Sequence, residues 1–244
     1  MKRRSGRIRS RLYWGFMGLL HRLAGTRLYE RQWASRNKPL DRVLADVEHP
    51  HRQWLMEQFD KLYPFSSVLE IGCGYGPNIQ LLATRFPSSE IVGLDINPTA
   101  IREGNARLTQ LGLKHASFLL GKADDLLQFA DRSIDVVFTD AVLLYIGPDK
   151  VKRVVSEMKR VSRKALLFVE FHDATLQPDT ADLGIHTPDG WVRNYRELLS
   201  EFFSDDFITL TKIPYDIWVT GRWPSYGHLI TVMRERADRM EPFP

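Results

Sequence analysis

The sequence predicts an α/β fold built on an open, mostly parallel sheet, and three observations carry that prediction. The first is Val68 to Ala83, VLEIGCGYGPNIQLLA, which reads as strand, glycine turn and helix. The second is an apolar run, EIVGLD, ending in Asp95, 23 positions after Gly72. The third is the alternation of apolar strand runs with helically spaced stripes that continues to Phe171.

In the first unit, Val68, Leu69 and Ile71 are strand formers bounded by Ser66-Ser67 and Gly72. After Gly76, residues Ile79, Leu81, Leu82 and Phe86 fall on one helical face, and Pro77 suits a first turn that needs no amide donor. Gly72, Gly74 and Gly76 leave a backbone able to turn sharply and to lie against a ligand at a helix N-terminus. That is a nucleotide-type cradle. Counting on from Gly74, the third glycine of a dinucleotide fingerprint would stand at Pro77, and the Gly-Lys-Ser/Thr of a P-loop is absent, so phosphate chemistry is disfavoured.

Upstream, Lys2, Arg3, Arg4, Arg7, Arg9 and Arg11 supply more than the whole net charge of +4 over 244 residues, which leaves a nearly neutral body. They precede LYWGFMGLL, Leu12 to Leu20, a pairing that imitates a signal peptide. His21 and Arg22 interrupt the apolar run, and so short a stretch cannot span a bilayer. A cytoplasmic location is expected. Residues 1–25 read as a tail leading into a core helix, as a basic amphipathic segment on an anionic membrane surface, or as a nucleic-acid tail. The single cysteine, Cys73, has no internal disulfide partner and reads as a small packing residue of the loop. Pro50 to Pro64 keeps helical spacing through Trp54, Leu55, Phe59 and Leu62, a helix beside the first strand.

Beyond the loop, Asp95 ends the second strand at the spacing suited to accepting ribose hydroxyls, and Asn97 and Pro98 cap a helix that Gly112 stops. A third strand, Ala116 to Gly121, leads into Asp124 and Asp125, an acid pair expected at a helix start. Ile134 to Phe138 form a strand buried on both faces, with Asp140 at its carboxyl edge followed by Ala141 and Tyr145. Ligands of open α/β sheets bind at that edge. Pro148 opens a helix carrying Val151, Val154, Val155, Met158 and Val161. A fifth strand, Ala165 to Phe171, delivers Glu170, His172 and Asp173 to the same edge. The segment to Gly190 reads as a surface lid, Trp191 to Phe203 as a helix, and Phe207 to Ile213 and His228 to Met233 as the last strands. No Cys/His cluster with metal spacing appears.

The run E-x-G-x-G-x-G from Glu70, followed in order by Asp95, Asp124 and the strand ending at Asp140, resembles the class I S-adenosylmethionine-dependent methyltransferase family over roughly residues 62–233. The resemblance implies a three-layer, Rossmann-like methyltransferase fold with seven strands in the order 3-2-1-4-5-7-6, the seventh antiparallel. It implies S-adenosylmethionine as cofactor, held by Glu70, Gly72, Cys73, Gly74, Gly76, Asp95, Ile96, Asp124, Asp125 and Asp140. Asp124 would bond the adenine amino group. Residues 1–61 are then a basic tail and helical cap, and residues 62–244 the cofactor-binding domain.

For catalysis the expected residues are Asp140, Tyr145 and His172, the last as a general base for a hydroxyl acceptor or else as a strand-end histidine bonded to Asp173 or Glu170. The fourth strand ends TDAVLLYI and so lacks the Asn/Asp-Pro-Pro-Tyr/Phe signature of nucleobase amino methylation, and a Pro-Cys nucleophile is absent too. A small molecule, sugar or lipid-linked glycan methylated at oxygen is the expected acceptor. Trp191, Trp218, Trp223 and Tyr226 are either stacking walls for it or core. The competing classes are a non-catalytic or regulatory S-adenosylmethionine-binding protein and a membrane-associated interaction module.

Overall fold

The computed structural model describes residues 25–177 and 184–234. The basic tail, Leu12 to Leu20 and the middle of the expected lid lie outside the described residues. Among the described residues three helices precede the sheet: α1 (Arg27–Ala34), α2 (Leu40–Val47) and α3 (Pro50–Leu62). Then come β1 (Ser67–Ile71), α4 (Pro77–Arg85), β2 (Glu90–Asp95), α5 (Pro98–Leu111), β3 (Ala116–Leu120), β4 (Ile134–Asp140), α6 (Val151–Val161) and β5 (Ser162–Phe171). The chain continues with β6 (Ile185–Thr187), β7 (Gly190–Val192), α7 (Tyr195–Ser200), β8 (Ile208–Lys212), the short α8 (Trp223–Tyr226) and β9 (Gly227–Met233).

Seven of the strands form one sheet in the order β3-β2-β1-β4-β5-β9-β8. Neighbours from β3 to β5 pair in parallel, whereas β9 runs antiparallel to both β5 and β8. This is the predicted order, and the reversal at β9 is the predicted one.

Strand alternation builds two cores. Val68, Val136, Phe138 and Leu167 face Leu55 and Phe59 of α3 and Ile79 and Leu82 of α4. Leu69, Val137, Leu166 and Phe168 face Val151, Val154, Val155 and Met158 of α6 and Leu198 and Leu199 of α7. The central strands therefore read as continuous apolar runs, as a sheet covered on both faces requires.

Two local expectations are corrected. Trp191 to Phe203 is not one helix: Trp191 and Val192 pair with His186 and Ile185 in a two-stranded hairpin, and the helix begins at Tyr195. Asn194 sets that start, because its side chain accepts the N–H of Glu197. The acid pair Asp124-Asp125 opens no helix; it sits in a turn closed by a bridge between Lys122 and Asp125. Among the described residues no helix is long and apolar enough to cross a membrane.

Candidate active site

A cavity of about 440 Å³ opens at the carboxyl ends of β1, β2 and β4. Its floor is the glycine loop. Gly72 and Cys73 donate their N–H groups to the carbonyl of Leu94 at 2.7 and 3.1 Å, which ties the loop to the end of β2. The N–H of Gly74 donates to Oδ2 of Asp95 at 2.8 Å, and the N–H of Asn97 donates to Oδ1 at 2.8 Å. Burial raises the Asp95 carboxyl while these backbone donors oppose the shift.

The three glycines do different work. A Cβ on Gly74 would meet nothing within 4 Å, so this position faces open space where a ligand can approach. A Cβ on Gly76 would lie 2.0 Å from the Phe118 ring, and Gly76 does not line the cavity. Gly76 packs against Phe118 of β3.

Behind the loop lies a buried polar network. Asn78 donates through Nδ2 to Oε1 of Glu70 at 2.7 Å and to Oδ2 of Asp140 at 2.9 Å. Arg52 donates through Nη1 to Oδ1 of Asn78 at 2.6 Å and to Oδ2 of Asp140 at 3.1 Å. Nε2 of His51 also meets Oδ2 of Asp140, at 3.0 Å. Two buried carboxylate oxygens are left without a partner, Oε2 of Glu70 and Oδ1 of Asp140, and both residues line the cavity. Burial, with the neighbouring Asp140, pushes the Glu70 carboxyl up to about 8. Burial also raises Asp140, but His51, Arg52 and Asn78 outweigh it and hold that carboxyl well below the usual range.

The acceptor-side wall follows β4. Ala141 takes a left-handed φ of 59°, uncommon for a residue with a side chain, and Tyr145 closes the turn. Glu170 holds this turn from below by accepting the N–H groups of Val142, Leu143 and Leu144 and the hydroxyl of Thr139. Arg193, wholly buried, donates to the carbonyls of Leu143 and Ile146. Tyr145 packs against Trp33 and Tyr29, with ring centroids 4.9 and 5.2 Å apart.

Trp33 and Tyr29 belong to α1, a helix that carries no site motif in the sequence. Thr26, Tyr29, Glu30, Trp33, Arg36 and Lys38 all line the cavity as its roof. Thr26 fastens that roof: its N–H and hydroxyl donate to Asp149 at 3.0 and 2.9 Å, and its hydroxyl accepts from the N–H of Gly147 at 2.8 Å. Asn97 donates to the carbonyls of Trp33 and Arg36 at 3.1 and 2.7 Å. Lys150 links Glu30 to Asp124, and the latter contact is 3.2 Å.

Of the expected cofactor residues, Glu70, Gly72, Cys73, Gly74, Asp95, Ile96, Asp124 and Asp140 line the cavity. Asp125 is exposed and does not, because the turn at Lys122 directs the two acids apart. Asp140 and Tyr145 line it, and His172 does not. Its ring is buried, its Nδ1 accepts the N–H of Tyr195 at 3.0 Å, and it packs edge-on to His228. Burial, then His228, lowers it to about 4. Among the expected aromatic walls only Trp218 lines the cavity, while Trp191 and Trp223 are core.

Residues 68–165 match the methyltransferase domain family. The matched stretch is a methyltransferase domain, and the sheet order is the one that the class I S-adenosylmethionine-dependent resemblance implies. The chain is 30% identical over 111 residues to a trans-aconitate 2-methyltransferase of Methylobacterium radiotolerans, across 46% of this chain and 40% of that protein. It is 25% identical to a malonyl-[acyl-carrier protein] O-methyltransferase of Anoxybacillus flavithermus, across 64% of this chain and 58% of that protein. The matched region thus spans about half the length of these relatives. The fold superposes on phosphoethanolamine N-methyltransferase 1 of Haemonchus contortus, solved with phosphoethanolamine and S-adenosylhomocysteine, with a TM-score of 0.61 at 18% identity over 93% of this chain and 52% of that one.

S-adenosylmethionine is the cofactor of the family, and the methyltransferase site fits it. Its ammonium and sulfonium are cations, and the cavity floor presents two carboxylate oxygens with no partner. Its ribose needs acceptors beside an open backbone, which Asp95 and Gly74 supply.

Proposed function

We propose that this methyltransferase moves the methyl group of S-adenosylmethionine to an oxygen of a small-molecule acceptor. The observation that carries the reading is a single cavity joining the glycine loop and Asp95 to the carboxyl edge of β4, where Asp140 and Tyr145 stand. The relatives support a small acceptor and oxygen as the methylated atom, since two of them are named for trans-aconitate and for O-methylation of a malonyl carrier protein. A sugar or lipid-linked glycan fits the same cavity through its aromatic walls, Trp33, Tyr145 and Trp218.

The bound cofactor supplies an already activated methyl group, so the residues of the chain bind, align and exclude water. Glu70 and Asp95 hold the cationic and ribose ends, with Gly74 open to both. Glu170 and Arg193 fix the turn that places Tyr145, and alignment of this kind contributes roughly 7–11 kcal/mol. The roof from Thr26 to Lys38 covers the site from water.

Incubation with methyl-labelled S-adenosylmethionine and a low-molecular-mass cell extract tests the reading. Label should enter a small molecule in proportion to enzyme. Cofactor binding without any transfer would instead favour a regulatory S-adenosylmethionine-binding protein.

A further inference from the structure

Three donor groups meet where the roof reaches the acceptor-side wall. The Arg36 guanidinium lies over the Trp33 ring, 4.4 Å from its centroid, and the Trp33 ring packs against Tyr145 at 4.9 Å. All three residues line the cavity. Nε1 of Trp33 is buried without a hydrogen-bond partner, and among the described residues neither the Tyr145 hydroxyl nor the Arg36 guanidinium has an acceptor. An indole N–H and a guanidinium can only donate, so this corner of the cavity calls for an acceptor from outside the chain. We propose that Trp33, Arg36 and Tyr145 form a subsite for a carboxylate of the methyl acceptor, so that the acceptor is an organic acid. This rests on the cavity being a methyl-transfer site.

Charge accounting singles out Arg36. Of the cations that line the cavity, Lys38 pairs with Asp46, Arg52 with Asp140, and Lys150 with Glu30 and Asp124. Arg36 pairs with no carboxylate among the described residues, and it is exposed, which puts it at the rim where an acid arrives from solution. The acids felt at Tyr145 are already engaged, Glu170 by the turn after β4 and Asp189 by Arg222 at 3.3 Å. One unpaired cation compensates one negative charge. That suits a carboxylate, whose two oxygens also match the guanidinium fork, and leaves a phosphate dianion half compensated.

The backbone fixes where this charge stands. The carbonyl of Arg36 accepts from Nδ2 of Asn97 at 2.7 Å and from the Tyr75 hydroxyl at 3.4 Å, which ties the residue to the start of α5 and to the glycine loop. Glu170 and Arg193 fix the turn that carries Tyr145. Burial raises the Tyr145 hydroxyl against the opposing charge of Arg36, so it stays protonated and able to donate. The carboxylate of the cofactor is a separate matter: it shares a carbon with the ammonium and stays with it at the floor, by the free oxygens of Glu70 and Asp140, whereas Arg36 belongs to the roof.

The test uses the full-length protein, methyl-labelled S-adenosylmethionine and a low-molecular-mass extract split on an anion exchanger, with S-adenosylhomocysteine calorimetry on every variant. Only the retained, anionic fraction should accept label, and phosphatase treatment of that fraction beforehand should leave its acceptor activity intact. Arg36→Gln should raise the amount of this fraction needed for half-maximal rate roughly 10- to 100-fold, with little change in maximal rate or S-adenosylhomocysteine affinity, and Arg36→Lys should recover part of the loss. Tyr145→Phe, which removes only the hydroxyl, should raise the same quantity by a smaller factor. Added salt should raise it in the unmodified protein and do so less in Arg36→Gln.

Transfer to the unretained fraction, loss of acceptor activity on phosphatase treatment, or an unchanged half-maximal amount in Arg36→Gln would each overturn the proposal. A loss in Arg36→Gln matched by lost S-adenosylhomocysteine affinity would assign Arg36 to the carboxylate of the cofactor and overturn it too, while leaving methyl transfer standing. S-adenosylhomocysteine binding with no label in either fraction would remove the methyl-transfer reading itself, and the proposal with it.

Discussion

Asp95 accepts the backbone N–H of Gly74 at 2.8 Å, so the acid that ends β2 and the open glycine of the loop form one unit. A carboxylate oxygen has lone pairs beyond the one that Gly74 uses, and these remain for ribose hydroxyls. Asp95→Ala therefore removes a ligand acceptor and a loop brace together. S-adenosylhomocysteine affinity should weaken by at least ~1.5–3 kcal/mol, measured by calorimetry on a folded variant. Unchanged affinity would take Asp95 out of the cofactor site.

Gly74 and Gly76 should separate binding from stability. Alanine at position 76 would meet the Phe118 ring 2.0 Å away at a φ of 75°, so Gly76→Ala should cost ~1–3 kcal/mol of stability. Gly74→Val points into open space at a φ of 53°, and its larger loss should appear in cofactor affinity. Thermal melts and titrations of both variants check the split; an equal fall in Tm for both would refute it.

Glu70 makes cofactor binding depend on pH. With its carboxyl pushed up to about 8, Glu70 is largely protonated at neutral pH, and a cationic ligand at its free Oε2 favours the ionised form. Binding then releases a proton below that value. Affinity for S-adenosylmethionine should rise with pH up to about 8 and level off above it, and this slope should vanish in Glu70→Gln. Calorimetry in buffers of different ionisation enthalpy reads the proton directly.

His172 should matter to folding. His172→Ala leaves the buried N–H of Tyr195 without an acceptor, a cost of about 1–3 kcal/mol, and should leave cofactor affinity alone. Because its folded value is lowered from 6.5 to about 4, the unfolded chain binds the proton more tightly between them. This contribution is full above 6.5 and is lost as pH falls toward about 4, so the variant should show a weaker acid dependence of Tm over that window.

The sheet was legible because strands covered on both faces must be continuously apolar and because glycine turns interrupt them at fixed spacing. Glu70, Asp95 and Asp140 were legible because each ends or flanks such a strand. The roof was not: Tyr29 and Trp33 of α1 and Arg36 just after it reach the cavity from far upstream in the chain, and no local pattern announces a contact with Asn97 or Tyr145. His172 carried the expectation of a base and His51 carried none, and packing places the two differently. His172 turns toward Tyr195 and His228, while His51 precedes Leu55 and Phe59 on the buried stripe of α3, which aims it at the end of β4. A histidine one turn before the apolar residues of that helical stripe was the available signal.

The most direct test of the central claim is a calorimetric titration of the full-length protein with S-adenosylhomocysteine beside an identical titration with NAD. The cavity described here predicts saturable binding at one site for S-adenosylhomocysteine and no heat of binding for NAD, whose pyrophosphate the loop at Pro77 does not accommodate. No binding of S-adenosylhomocysteine by folded protein, or saturable binding of NAD in its place, would contradict the account.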